Sequence, residues 1–189
     1  MSKMNDNPLV QGARGNFGKK MIYRKRGNDT LMVKMPAVNK KRVRSDEEKA
    51  QQSRFKLAAL FAKGALRSAE LKAQYKLKTP HNGTPFAVAL KDYLTPPTIH
   101  QIVAGEYNGT AGSILSIIAD DDFRVASATV TIRNAAGQLV EQGPAHLDPI
   151  NLAKWNYTAT QPNPALTGST IRVVIKDVPG NEVSDELTL

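Results

Sequence analysis

Seven short segments that alternate apolar and polar residues fill the stretch 99–189, and this pattern constrains the fold more than any other feature. In the segment 125–133, for example, Ala128 and Val130 are each followed by a threonine. Residues that favour tight turns, such as those at 134–137, separate neighbouring segments. Short strands at this spacing are typical of an antiparallel β-sandwich. The predicted strands cover residues 99–103, 113–118, 125–133, 138–142, 155–160, 170–176 and 183–189.

The pattern before residue 96 is helical. Ser45 and Glu48 form a capping-box pair, which indicates a helix start, and the apolar period of 3.6 residues predicts one helix over about 46–75. Gly64 is a weak point in that helix, where either a kink or a close helix contact is expected. Thr84 and Pro85 then predict a short helix over 86–93, and the pair Pro96–Pro97 indicates a stiff linker.

The sequence of the first 35 residues predicts an arm followed by a β-hairpin. Residues 1–19 include Gly12, Gly15 and Gly18 and lack periodicity, which indicates an extended, flexible arm. A β-hairpin is expected over about 20–35, with its turn at 27–29. The chain is therefore predicted to be α+β: an extended basic N-terminal arm and β-hairpin with a helical segment, followed by an all-β sandwich. The predicted domains are 1–19, 20–95 and 96–189.

Charge is divided unevenly along the chain. Residues 1–95 hold 21 Lys and Arg against 7 Asp and Glu, a net charge of +14, whereas residues 96–189 hold 5 against 10, a net of −5. Such asymmetry indicates two regions with different surroundings, or copies that associate basic half to acidic half. The predicted partner-binding cations, in the arm, the hairpin and the following loop, are Arg14, Lys19, Lys20, Arg24, Lys25, Arg26, Lys40, Lys41, Arg42 and Arg44.

These cations have three interpretations at the level of sequence. They bind acidic protein surfaces, they bind nucleic acid without sequence specificity, or they are solvated. The hairpin group, Arg24 to Arg26, and the loop group, Lys40 to Arg44, form one surface only if the hairpin tip and the loop lie on the same side. A convergent group would neutralise several phosphates and give steep salt dependence. No sequence-reading DNA- or RNA-binding motif accompanies it.

No motif in the sequence predicts a reaction, a cofactor or a metal site. Gly12, Gly15 and Gly18 lack the strand–loop–helix context of a phosphate-binding loop, and the three histidines, at 81, 100 and 146, lack metal-ligand spacing. The run Asp120–Asp122 could bind Ca²⁺, but without the spaced ligands of a calcium loop a solvated turn is the preferred interpretation. We expect a non-enzymatic protein with no catalytic residues.

The chain contains no Cys and no apolar run of the length that a signal peptide or a membrane span requires. We therefore expect no disulfide and no membrane contact. The predicted location is the cytoplasm in which the chain is made, or a particle assembled there.

The C-terminal half resembles bacterial and phage immunoglobulin-like domains. The resemblance covers residues 97–189 and depends on Trp155-Asn-Tyr157 in one strand and on the turn Asp177-x-x-Gly-Asn181. It implies a sandwich fold and a role in display, spacing or adhesion. Trp155 is then expected to anchor the core of the sandwich.

The N-terminal half resembles small phage and prophage virion-associated proteins. The resemblance depends on Gly15, Gly18-Lys19, Arg24, Pro36 and the helix start Gln51–Phe55. It implies a structural protein of a phage particle or similar assembly, a capsid auxiliary or decoration protein present in many copies. The alternative is a sequence-independent nucleic-acid-binding protein in which the sandwich binds a partner.

Overall fold

The computed structural model describes residues 2–3, 7–37 and 42–189, and it has a mixed α+β architecture. Two antiparallel sheets, one of four strands and one of seven, are joined through three helices. The α+β class predicted from the sequence is confirmed at this level. None of the described helices is both long enough and apolar enough to cross a membrane.

The small sheet contains the predicted hairpin. Its strands follow the spatial order β1-β4-β3-β2, and Gly27 forms the hairpin turn with a φ of 59°, which a residue with a Cβ adopts at a cost. Within the predicted arm, the backbone at 15–17 pairs with β3, and the ring of Phe17 lies 6.2 Å from that of Tyr23. That part of the arm is therefore a strand. The strands are β1 (Ser2–Lys3), β2 (Gly15–Phe17), β3 (Met21–Arg26) and β4 (Asp29–Lys34).

The helices begin where the capping residues predict. In the capping box, Glu48 N donates to Ser45 Oγ and Ser45 N donates to the Glu48 side chain. The prediction of one helix over 46–75 is wrong, because Ser68 caps a second helix by accepting from Leu71 N. A serine that bonds to the backbone three residues on ends one helix and starts another. The helices are α1 (Asp46–Ala65), α2 (Ala69–Leu77) and α3 (Pro85–Leu94).

Helices α1 and α3 pack antiparallel through small side chains. Ala58 and Ala62 of α1 are fully buried, as is Ala89 of α3, so the two backbones approach closely. Phe61 packs on Tyr93, with ring centroids 5.5 Å apart. The first half of α1, residues 46–56, is almost entirely exposed, and one side chain within it donates to the last carbonyl of α3.

The seven strands after residue 97 form a sandwich-like antiparallel structure, as the alternation predicted. They follow the order β11-β10-β7-β8-β9-β6-β5, and β8 pairs first with β7 and then, at His146 and Leu147, with β9. The chain thereby passes from one layer to the other. The strands are β5 (Thr98–Val103), β6 (Ile114–Asp120), β7 (Val125–Arg133), β8 (Leu139–Leu147), β9 (Lys154–Thr158), β10 (Thr170–Asp177) and β11 (Glu182–Thr188).

The core of the sandwich comes from inward-facing residues of both layers. Leu115, Ile117, Val130 and Ile171 are fully buried, and Trp155 packs among them at 6% exposure, as the sequence predicted. A second cluster joins the helices to one end of the sandwich. Its members are Ala62, Ala65, Tyr75, Ala89 and Phe123, with Val178 packed against them. The helices are therefore docked on the sandwich.

Candidate functional site

The predicted cations of the arm and hairpin are all exposed and lie on or beside the small sheet. Lys19 and Lys20 lie in the turn before β3, whereas Arg24, Lys25 and Arg26 occupy the end of β3 that leads into the hairpin turn. Six residues of strand separate the two ends of β3 by about 17–20 Å. Arg14 is exposed just before β2. Lys40 and Lys41 lie outside the described residues.

The structure separates the hairpin cations from Arg42 and Arg44. The hairpin turn lies against the loop before α3, because a Cβ added to Gly27 would be only 1.8 Å from Asn82 Oδ1. Arg42 and Arg44 lie instead before the start of α1, a helix whose Arg54 donates to the last carbonyl of α3, at its other end. A helix as long as α1 spans about 30 Å. The hypothesis that both groups form one cationic surface is therefore wrong for these residues.

Arg42 and Arg44 have local partners on α1. Arg42 forms an ion pair with Glu48, and Arg44 Nη1 donates to Gln52 Oε1 over 3.2 Å. Both contacts are exposed, and exposed pairs contribute about 0–1 kcal/mol each. These two arginines therefore help to hold the chain at the helix start and remain open to solvent.

An open groove of about 390 Å³ lies between the hairpin tip and α3. Arg26, Lys78 and Lys91 line it together with Asp92 and Asp122. Lys91 Nζ lies 2.9 Å from Asp122 Oδ2. The hydrogen bond from Lys91 lowers the pKa of Asp122. The groove therefore carries both cations and carboxylates.

Three carboxylates meet where α3 contacts the sandwich. Asp92 comes from α3, Asp121 from the turn between β6 and β7, and Asp177 from the end of β10. One carboxylate oxygen of each lies within 4.8 Å of the others. Asp92 is 1% exposed and Asp177 3%. We call these three residues the junction cluster.

The neighbours of the junction cluster position each carboxylate. The hydroxyl of Tyr75 donates to Asp92 Oδ2 over 2.6 Å, and the Tyr75 ring stacks on Phe123 at 4.1 Å. Asp121 Oδ2 accepts from the backbone N–H groups of Phe123 and Arg124. The cluster is therefore held by groups from both the helices and the sandwich.

The turn after β10 fixes the third carboxylate. Asp177 Oδ1 accepts from the backbone N–H groups of Gly180 and Asn181, and the side-chain amide of Asn181 donates to its Oδ2. That amide also donates to the carbonyl of Tyr93, the residue after Asp92. Asn181 thus ties the β10–β11 turn to α3.

Burial dominates the electrostatics of the junction cluster. It raises the pKa of Asp92 to about 7, and the neighbouring charges of Asp121 and Asp177 act in the same direction, whereas the bond from Tyr75 opposes them. Burial also raises the pKa of Asp177 and that of the Tyr75 hydroxyl. Burial disfavours a charged carboxylate. Keeping the carboxylates of the cluster ionised therefore costs free energy.

The sequence pointed to one of the three carboxylates and missed the other two. Asp121 belongs to the run Asp120–Asp122, for which a solvated turn was preferred, and Asp177 was noted only for its turn. A signal for Asp92 was present: it follows Ala89 by three residues and so shares the buried face of α3. His100 binds Asp120 at the surface over 2.9 Å, and none of the three histidines joins the cluster.

Comparison with known proteins gives no family for this chain. No protein-family model matches it, and no curated protein matches it. Among solved structures, CopC from Methylosinus trichosporium OB3b matches with 15% identity and a TM-score of 0.36, over 48% of this chain and 87% of that one. A TM-score of this size supports no assignment of function.

Proposed function

We propose that this chain is a structural protein of a phage particle or similar assembly, a capsid auxiliary or decoration protein. Its basic N-terminal region anchors it to acidic surfaces of neighbouring subunits, and its sandwich is an immunoglobulin-like domain displayed from that anchor. The observation that supports this most is the separation of two regions. One carries exposed cations on a small sheet, and the other has a continuous core of its own.

The strand pairing supports an immunoglobulin-like assignment of the sandwich. Strands β5, β6, β9 and the end of β8 pair in the manner of strands A, B, E and D of a constant-type domain, and β7, β10 and β11 pair like C, F and G. Trp155 lies on β9, the equivalent of strand E, whereas antibody domains carry their core Trp on strand C.

The composition of the small-sheet surface supports anchoring. Beside its cations it exposes Leu9 at 92% and Phe17 at 61%. A region that exposes both apolar side chains and cations suits a surface that another molecule covers, since charge steers the encounter and apolar burial completes it. On the sandwich, β11 exposes Glu182, Asp185 and Glu186, which allows basic-to-acidic contact between copies.

Particle incorporation tests the proposal directly. Particles from a host that encodes the chain are purified, and the bound chain is quantified for wild type and for Arg24→Glu/Lys25→Glu/Arg26→Glu. We expect incorporation to fall at least about tenfold, because the steering charges are reversed. The matched control, Lys63→Glu/Lys72→Glu/Lys76→Glu, makes the same charge change on exposed positions of α1 and α2 and should incorporate normally. Equal incorporation of all three proteins contradicts basic-region anchoring.

Limited proteolysis provides an independent readout. Residues 1–44 should be cleaved in the isolated chain and protected in the particle, whereas 98–189 should resist in both states. Equal cleavage of 1–44 in both states contradicts the proposal.

Sequence-independent nucleic-acid binding is the second candidate, and the exposed cations of the small sheet favour it. Their separation from Arg42 and Arg44 reduces the number of phosphates that one duplex can contact at once, which makes this candidate weaker. Fluorescence polarisation with a random duplex at two salt concentrations tests it. Tight binding at low salt that weakens steeply with added salt supports it, and failure to bind at low salt eliminates it.

A further inference from the structure

Two buried carboxylate oxygens in the junction cluster accept from no N–H or O–H group, and a hydrogen bond between Asp92 and Asp121 forms only if one of the two is protonated. These oxygens are Oδ1 of Asp92 and Oδ1 of Asp121, while Oδ2 of each is already engaged. In the described part of the chain, none of the three cluster carboxylates forms an ion pair. Ionised carboxylates only accept hydrogen bonds, so two that face each other require a positive species between them. That species is either a proton or a cation.

The distances within the cluster suit a single metal ion. Ca²⁺ binds oxygen at about 2.3–2.6 Å, so two ligands on opposite sides of one ion lie at most about 4.6–5.2 Å apart. One oxygen of each cluster carboxylate lies within 4.8 Å of the other two. All three can therefore contact the same ion. Carboxylate oxygens are hard ligands and select Ca²⁺, Mg²⁺ or Mn²⁺ over softer metals.

We propose that Asp92, Asp121 and Asp177 bind one hard divalent cation, with Ca²⁺ as the first candidate, at the junction between α3 and the sandwich. The groove beside α3 provides a route for it, since Asp92 lines that groove. Lys91, which also lines the groove, is paired with Asp122 and so does not neutralise Asp92. The three carboxylates supply protein ligands from one face, and water completes the coordination, as is usual for such ions.

The cation would join three segments that are distant in the chain. It would bind α3, the β6–β7 turn and the β10–β11 turn to one another, so that the helices and the sandwich move as one body. Without it, the three clustered carboxylates repel one another in the place where packing, Asn181 and the ion pair between Lys91 and Asp122 hold the two parts together. The site is thus a structural one, and it would fix the orientation in which the sandwich is displayed.

Thermal unfolding of the full chain tests the site. Protein stripped with a chelator is dialysed and then titrated with Ca²⁺, Mg²⁺ and Mn²⁺ in parallel with calorimetric measurement of binding. With the cation at about 100 times its Kd, we expect the Tm to rise by at least about 5 °C for a chain of this size. No rise in Tm and no heat of binding with any of the three cations overturns the proposal.

Variants of the cluster separate loss of the cation from loss of the fold. Asp92→Asn keeps an acceptor for Tyr75, and Asp121→Asn keeps one for the two backbone N–H groups that it binds. We expect each variant to fold, to be at least as stable as the stripped wild type, and to lose most of the cation-induced rise in Tm. The control Asp185→Asn, on exposed β11, should keep the full rise.

A proton shared between the carboxylates is the alternative to a cation at this site, and it predicts different Tm values. In that case Asp92→Asn raises the Tm of stripped protein, while cations leave the Tm of the wild type unchanged. That pair of results overturns the proposal, as does an undiminished response to cations in both Asp92→Asn and Asp121→Asn.

Discussion

The small N-terminal sheet and the block formed by helices and sandwich are held together by different amounts of buried apolar surface. In the sandwich, fourteen residues form one buried cluster that includes Leu115, Ile132 and Val173. In the described part of the small sheet, Thr30 and Leu31 are the buried residues, and the others are partly or fully exposed. A sheet with so small a core gains little stability by itself and more from a partner that covers it. One chain therefore combines a body with a large core of its own and a region that another surface can cover.

The largest expected effect comes from the sandwich core. Leu115→Ala removes a fully buried side chain and should lower the free energy of unfolding by about 2–5 kcal/mol. Leu31→Ala, the matched change in the small sheet, should shift the main transition by less than about 0.5 kcal/mol if the sheet unfolds separately. Urea denaturation followed by fluorescence of Trp155, the only Trp in the chain, measures both. Equal losses would show that the two regions unfold as one.

A change of pH should alter the stability of the block of helices and sandwich through the junction cluster. The pKa of Asp92 is raised to about 7 in the folded protein from its ordinary value of 3.8, so the folded state binds more protons than the unfolded state between these values. In the presence of a chelator, stability should therefore be highest at low pH and fall as pH rises to about 7, by at most about 1.4 kcal/mol per pH unit. In urea denaturation at pH 4.5 to 7.5, Asp92→Asn should make this slope shallower and leave the part due to Asp177, whose pKa burial also raises. A slope that is unchanged in the variant assigns the effect to other groups.

A smaller effect is expected where the two regions touch. Gly27→Ala places a Cβ at a φ of 59° and within 1.8 Å of Asn82 Oδ1, which costs about 1–2 kcal/mol and pushes the hairpin tip from the loop before α3. We expect faster amide exchange at Thr30 and Leu31 without change in the sandwich. Gly137→Ala is the control, because its φ is 77° and nothing lies within 4 Å of the added Cβ. Unchanged exchange at Thr30 and Leu31, or exchange in β7 and β10 that is faster than in wild type, would contradict this picture.

The smallest effect is expected at the exposed start of α1. Ser45→Ala removes the capping box and should cost about 1 kcal/mol of local helix stability. Because residues 46–56 make little tertiary contact, the loss should show as faster amide exchange in the first turns and a small drop in helical circular dichroism. Ser53→Ala, at an exposed position inside the same helix, should show neither. A drop in the main unfolding transition of more than about 1 kcal/mol would mean that the start of α1 supports the block.

The elements that were predicted well depend on neighbours in the sequence. The seven strands were visible because alternation and turn residues act within a few positions, and the start of α1 was visible because Ser45 and Glu48 satisfy each other's backbone. The break before α2 was missed because Ser68 competes with a continuous helical pattern. Whether Ser68 breaks the helix depends on the burial of Tyr75 and on the hydrogen bond from Tyr75 to Asp92, seventeen residues further on.

The strands, the starts of α1 and α3, the hairpin and the division of charge were predictable, since all of these follow from local backbone chemistry and side-chain periodicity. Which charges meet depends on the tertiary structure. It placed Arg26 and Arg42 at opposite ends of the α1–α3 pair, and it brought Asp92, Asp121 and Asp177 together from three distant segments. Such encounters depend on how the helices dock on the end of the sandwich, which is set by packing among residues far apart in the chain.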